Sequence, residues 1–282
     1  MPPRGHPTAR QVRLGSELRK LREQAGMTSA EAAASLGWER PQVSHIESGR
    51  WGVSGERVRH LAAHYCVRDA AYVDALASMA EERVKGWWTD YRDALTASSL
   101  DLAELEHHAS CLRVIEMSIV PGLLQTEGYA RAVFAGAITE RPAAEVEAAV
   151  QHRMARRCIF QRPSPAQLDA YVHEAALRMR YGSRSVMREQ LDFLGAAAEW
   201  PTVRVRIVPF DAEVTSSIQS LTFAGGPVPQ LDTVQVDNAF DGAFLAAEAQ
   251  LAKYRALLDR VDRIALDVSE SKKVIRSVAE EL

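Results

Sequence analysis

Apolar positions over roughly the first eighty residues recur at helical spacing, and the breaks between the periodic stretches carry cap and turn residues. Val12, Leu14, Leu18 and Leu21 predict an amphipathic helix over Val12–Gln24, ended at Gly26. Thr28 followed by Glu31 is a capping box, in which the Thr hydroxyl accepts from the Glu31 amide and the Glu reaches back to the Thr28 amide. Ala32, Ala33 and Leu36 then form one apolar face, with Ala33 small enough for two helices to cross closely. Gly37 can take a positive φ at low cost and end that helix near residue 36. Pro41 suits the first turn of the next helix, predicted over 40–47, where a missing N–H costs nothing. Val43 and Ile46 anchor this helix inward, Gln42, Ser44 and His45 are left pointing out, and Gly49 ends it. A fourth helix is predicted over Ser54–Tyr65, with Ser54 as cap, and a fifth over Asp69–Lys85.

Beyond this all-α head the pattern changes. Residues 86–110 look helical but irregular, with a polar break at Thr96–Ser99, and are expected to form a helical connector. Leu112–Ile119 alternates and predicts a strand, and Pro121–Gly122 turns the chain into a helix from Thr126 to Ala135. A long helix is expected over Pro142–Phe160, a strand over Leu168–His173 and a helix over Val186–Glu199. Val203–Pro209 alternates strictly, and Ile218–Phe223 and Thr233–Val236 are further strands around the turn-rich GGPVPQ. Helices over Ala246–Leu266 and Glu270–Leu282 close the chain. The expected fold class is α+β: a five-helix head at 1–85, a connector at 86–110 and a larger α+β domain at 111–282.

Composition changes this picture little, except through charge. The 282 residues suffice for roughly two domains. The net charge of −3 divides into about +4 over residues 1–66 and about −7 over the rest. A basic head on an acidic body fits a nucleic-acid-binding head and a body with another task. There is no apolar run of membrane-spanning length and no apolar leader after the N-terminus, so a cytoplasmic, nucleoid-associated protein is expected. Three widely spaced cysteines, Cys66, Cys111 and Cys158, fit reduced thiols.

Residues 14–67, carried by LGSELRKLREQAGMTSAEAAASLGW and QVSHIESGR, resemble the XRE-type (phage-repressor-like) helix-turn-helix family. From about Glu104 onward the chain resembles the C-terminal domain of antitoxin-like transcriptional regulators of actinomycetes. The carriers are VPGLLQTEGYAR (120–131), HEAALRMRYG (173–182), VMREQLDFL (186–194), VRVRIVPF (203–210) and ESKKVIRSVAEEL (270–282). The resemblance implies a homodimer on double-stranded operator DNA of pseudo-palindromic sequence, and a C-terminal domain that engages a small protein encoded by a neighbouring gene, or another signal. It implies that the helix from Arg40 to Ser48 enters the major groove, with Arg40, Gln42, Ser44 and His45 as base readers. Ser29 and Arg50 would contact phosphate. Arg22 and Glu47 would pair between the first and third helices and orient the recognition helix. Two features depart from the family pattern: Ser29 stands where Gln is common, and Glu39-Arg40-Pro41 replaces a Ser/Gln-rich segment.

Other chemistry is weakly signalled. His60/His64, His107/Cys111 and Glu104/His108 are i, i+4 pairs, but two ligands do not make a site, and neither metal nor cofactor is expected. Residues 225–227 (GGP) lack the lysine and following helix of a phosphate loop, and no nucleophile motif is present, so no enzyme activity is expected. Trp87, Trp88 and Tyr91 form either a partner or ligand surface or buried core. Leu123, Leu124 and Gln125, within the segment 121–125, either line a pocket or groove or make a structural turn. A small-molecule-sensing regulator with the same head is the alternative to a protein-partnered one.

Overall fold

A computed structural model of the chain describes residues 7–82, 85–137, 142–213, 217–237 and 242–282. Five helices follow one another in the head: α1 (Ala9–Gln24), α2 (Ser29–Leu36), α3 (Arg40–Glu47), α4 (Gly55–His64) and α5 (Ala70–Glu81). The first starts three residues earlier than its apolar stripe suggests, because Thr8 and Gln11 form a capping box of their own. The Thr28–Glu31 box is present, and Gly37 closes α2 in the left-handed conformation, φ 65°. Leu18, Leu21, Ala32, Ala33, Val43, Ile46, Val58, Leu61 and Leu76 are buried, so the predicted inward faces do meet. Glu17 is buried among them, ion-paired to Arg13 at 2.9 Å and accepting from the Tyr72 hydroxyl. That bond and burial drive the Tyr72 phenol far above its ordinary pKa, burial contributing most.

The rest is a mixed sheet flanked by helices. Its helices are α6 (Ala97–His108), α7 (Glu127–Ala135), α8 (Ala143–Ala155), α9 (Glu174–Arg178), α10 (Arg184–Ala197), α11 (Glu248–Ile264) and α12 (Val268–Glu280). Its strands are β1 (Cys111–Glu116), β2 (Gln167–His173), β3 (Val203–Val208), β4 (Leu221–Gly225), β5 (Thr233–Asp237) and β6 (Gly242–Leu245). They lie in the order β3-β2-β1-β4-β5-β6. The pairs β1–β2 and β2–β3 are parallel, joined through helical crossovers, while β1–β4, β4–β5 and β5–β6 are antiparallel. Alternation splits the sheet into two buried faces. Leu112, Val114, Leu168, Ala170, Val172, Val203, Val205 and Ile207 join one core with residues of α7, α10 and α12. Ile115, Tyr171, Val208, Leu221, Phe223 and Val234 join the other with Leu251, Leu258 and Val261 of α11. The α+β expectation therefore holds.

Several boundaries differ. The polar break at Thr96–Ser99 is the N-terminus of α6, where the Thr96 hydroxyl accepts from the Ser99 amide. Residues 86–110 are accordingly not a plain connector. Chain contacts group residues 1–87 with 227–230 in one unit and 88–226 with 231–282 in the other, so α6 lies wholly inside the second. The strand expected at Ile218–Phe223 begins at Leu221 and runs to Gly225. Two elements carried no expectation, the short α9 and β6. The fifth helix ends at Glu81, and the predicted extension to Lys85 runs into residues 83–84, outside the described ones.

Candidate nucleic-acid interface

The interface is organised by what holds α3. Val43 and Ile46 are 3% and 5% exposed and bury one side of the helix, which leaves Arg40 and Ser44 exposed on the other. Gly15 allows α1 to approach α3 closely: a Cβ there would stand 2.5 Å from the Glu47 carbonyl oxygen and 2.7 Å from that of Ile46. Next to this crossing the Arg22 guanidinium donates from Nε and Nη2 to Glu47 at 2.6 and 2.9 Å, and from Nη1 to the Met27 carbonyl at 2.5 Å. The predicted pair therefore forms, buried, and fixes α3 against α1 in rotation as well as distance. The Glu47 hydrogen bond holds Arg22 above its ordinary pKa against the opposing effect of burial.

The expected base readers differ in freedom. Arg40 occupies the first turn of α3, exposed, beside Pro41. Ser44, one turn on, is exposed too. Gln42 is half-buried, and its Oε1 accepts from the Glu39 amide at 3.2 Å. It thus caps its own helix, and only its amide nitrogen is uncommitted for an adenine fork. His45 is stacked on Trp51, ring centroids 4.9 Å apart and planes 25° apart, which fixes its ring. Trp51 went unrecognised from the sequence; a large aromatic two residues after Gly49 was the available signal. Trp38 was also missed. It sits just after the Gly37 turn, with the Arg57 guanidinium 5.5 Å from its ring centroid, and ties α4 to the turn between α2 and α3. Ser29 opens α2, half-buried, and Arg50 is exposed past the end of α3.

The weaker candidates fall elsewhere, and most are interior. Trp88 is 5% exposed, its ring 5.0 Å from that of His107, so it is core of the second unit and not a partner surface. Tyr91 is half-buried against His152 at 5.2 Å, and Trp87 is half-buried in the first unit. Leu123 and Leu124 are buried in the core below the sheet, because two adjacent leucines on a 3-10 turn at its face have nowhere polar to go. A groove for a protein cannot be lined by them. Gln125 is wholly buried, donating to the Val120 carbonyl at 2.7 Å and accepting from Arg153 Nη1 at 2.7 Å. Pro121, Gly122 and Leu123 do line a cavity of about 60 Å³, together with Arg153, Arg156, Glu106 and Glu116. None of those four charged residues stood out in the sequence, since none falls in a motif.

Residues 13–76 match a family described as a helix-turn-helix domain. Residues 100–277 match the family described as a domain of unknown function, DUF5753. No curated protein and no solved structure matches the chain. Among the described residues no helix is long and apolar enough to cross a membrane. With well over half of its length matched, the chain belongs to the DUF5753 family and carries a helix-turn-helix domain ahead of the family region.

Proposed function

We propose that the protein is a sequence-specific DNA-binding transcriptional regulator acting as a homodimer, with α3 in the major groove. The observation that carries this is the exposed Arg40–Ser44 face of α3, in a matched helix-turn-helix domain, held from behind by Val43, Ile46 and the Arg22–Glu47 fork. Arg40 reads guanine bidentately, while Gln42, through its amide nitrogen, and Ser44 and His45 read neighbouring positions. The stack on Trp51 pre-orders the His45 ring, which lowers the entropy lost on contact. Ser29, at the amide-rich start of α2, and Arg50 hold phosphates and set the register. Two heads grip half-sites about one helical turn apart.

The second unit carries the signal. Its resemblance to antitoxin-like regulators supports a small protein partner. The charged cavity favours a second reading, in which a small molecule is sensed; Trp88, Leu123, Leu124 and Gln125 are buried, which leaves Trp87 and Tyr91, both half-buried, as the accessible part of the candidate partner surface. Neither reading involves catalysis.

Footprinting with purified protein tests the head. Protection of a pseudo-palindrome is expected, with affinity falling steeply as salt rises. In a randomised site library, Arg40→Ala relaxes preference at one position, and Arg50→Ala weakens all sites alike and flattens the salt dependence. Absence of sequence-selective protection at low salt would overturn the reading.

A further inference from the structure

Arg153 and Arg156 lie three apart at the end of α8 and the start of the following turn, so they share one side of the chain. Arg156 gives Nε and Nη2 to Glu106 at 2.7 and 2.5 Å, and its Nη1 makes no hydrogen bond among the described residues. Arg153 gives Nη1 to the neutral amide of Gln125, and its guanidinium lies 4.7 Å from the Phe134 ring centroid. No carboxylate pairs with Arg153 among the described residues. Both guanidiniums close on one point. A Cβ on Gly122 would stand 3.0 Å from Arg153 Nη1 and 3.3 Å from Arg156 Nη1. Two like charges converge on the wall of a cavity: Arg156 is ion-paired to Glu106, while Arg153 feels Glu106, Glu116 and Asp237 only from beyond ion-pair reach, so a small anion seated between the guanidiniums gains a direct charge-assisted contact with each. Burial, followed by the Arg156 charge, pulls Arg153 down to about 9.

The carboxylates that line the same cavity limit what the anion can be. Glu116 of β1 and Asp237 of β5 line it as well, with Asp237 accepting from Gln235 Nε2 at 2.5 Å. They repel a dianion and offer acceptors to a donor. At about 10–15 Å³ for each water, the space takes roughly four to six small atoms. We propose that the cavity binds a compact carboxylate bearing a hydroxyl or ammonium group, its carboxylate on the free guanidinium edges of Arg153 and Arg156 and its donor toward Glu116 and Asp237. The assignment deepens the small-molecule reading of the second unit and rests on it for its regulatory meaning.

The test uses the full chain with four probes: glycolate, glycine, acetate and inorganic phosphate, each followed by thermal shift and titration calorimetry. Glycolate or glycine raises the melting temperature by several degrees at a hundredfold excess over its Kd. Acetate binds at least about tenfold more weakly, the size of one lost charge-assisted hydrogen bond. Phosphate gives no shift. Arg153→Gln removes the shift, and Glu116→Gln, which keeps both guanidiniums, brings the donor-bearing probe closer to acetate. No shift with any probe, or a phosphate shift equal to the others, overturns the site, and Glu116→Gln decides the donor assignment even if Arg153→Gln fails to fold. Operator affinity is measured in the same samples: binding of glycolate or glycine that leaves it unchanged supports the site and sinks the sensor reading, whereas loss of operator binding by the unliganded protein would concern the head alone.

Discussion

Each unit contains a buried arginine forked onto a glutamate, and the two are completed differently. In the head, Arg22 commits Nε and Nη2 to Glu47 and Nη1 to the Met27 carbonyl. In the second unit, Arg156 makes the same fork to Glu106, but among the described residues its Nη1 makes no hydrogen bond, and Arg153 beside it holds a neutral amide and the Phe134 ring rather than a carboxylate. The two forked arginines shift the same way: against burial, Glu106 holds Arg156 above its ordinary pKa, and it is the unforked Arg153 that departs. The Glu47 bond raises Arg22, whereas burial and the neighbouring guanidinium lower Arg153. A satisfied fork is scaffold, because its geometry leaves nothing for a ligand to add. An unsatisfied pair beside a cavity holds electrostatic potential that an incoming group can use. The fork itself is the same, and a second arginine beside it and the open donor positions separate the two roles.

The contrast predicts unequal mutational costs. Glu47→Ala strips the buried Arg22 of its fork, leaving the half-exposed Glu23 carboxylate at 3.7 Å and the Met27 carbonyl, and destabilises the head by about 3 kcal/mol, with loss of operator binding. Arg153→Met removes a buried cation that has no direct carboxylate partner among the described residues but strips the buried Gln125 Oε1 of its donor, so its net cost is about 1–2 kcal/mol. Urea unfolding of the two variants checks this. Equal destabilisation would end the distinction between scaffold and site.

A pH series sharpens it. Burial, and after it the Asp237 charge, pushes Glu116 up to about 7, while Arg153 and Arg156 act the other way. The folded protein therefore binds a proton that the unfolded chain has released. The stabilisation is complete below the ordinary carboxylate pKa and is lost as pH rises through about 7, by roughly 1–3 kcal/mol. His152, driven down to about 3 by burial and then by Arg156 and Arg153, has the opposite slope: its contribution is present above the ordinary histidine value and lost as pH falls. The two overlap and partly cancel in the wild type. The difference between wild type and Glu116→Gln isolates the first, and a flat difference curve from pH 4 to 8 would refute it.

The crossing in the head should cost about as much. Gly15→Ala puts a methyl against two backbone carbonyls that cannot turn away, so α3 must move. A loss of about 1–3 kcal/mol is expected in thermal unfolding, together with weaker operator binding. Gly195, whose Cβ would meet nothing within 4 Å, serves as the control. Its replacement by Ala should stabilise α10 slightly.

The head was legible because local signals set it. The capping box at Thr28, the turn at Gly37, Pro41 and the apolar pair Val43/Ile46 each act within a few residues, and the boundaries of α2 and α3 follow from them. Strands β1 and β3 were legible through alternation, and β2 and β5 as short apolar runs. What escaped depends on distant partners. The sequence pattern does not say that Gln42 caps its own helix or that Trp51 stacks on His45. The cavity draws on α6, β1, α8 and β5, so no window of sequence contains it. Gln125 lies in a distinctive string, but its partner Arg153 is 28 residues away, on α8.

The smallest effect concerns a polar device open to water. Thr28 Oγ1 accepts from the Glu31 amide at 3.2 Å, and Glu31 Oε2 accepts from the Thr28 amide at 2.7 Å. Backbone donation from Thr28 holds the Glu31 carboxyl below its ordinary pKa. Both residues are exposed, so water replaces a lost partner, unlike in the Arg22–Glu47 fork. Thr28→Ala should therefore cost only about 1 kcal/mol. The two bonds are reciprocal and share one turn of helix, so the losses from Thr28→Ala and Glu31→Ala should not add. The double variant is expected to lie a few tenths of a kcal/mol below the worse single one in urea unfolding. Strict additivity would mean that the two bonds act as separate caps, and a Thr28→Ala cost approaching that of Glu47→Ala would mean that solvent access does not separate the weak polar contacts of the head from the strong ones.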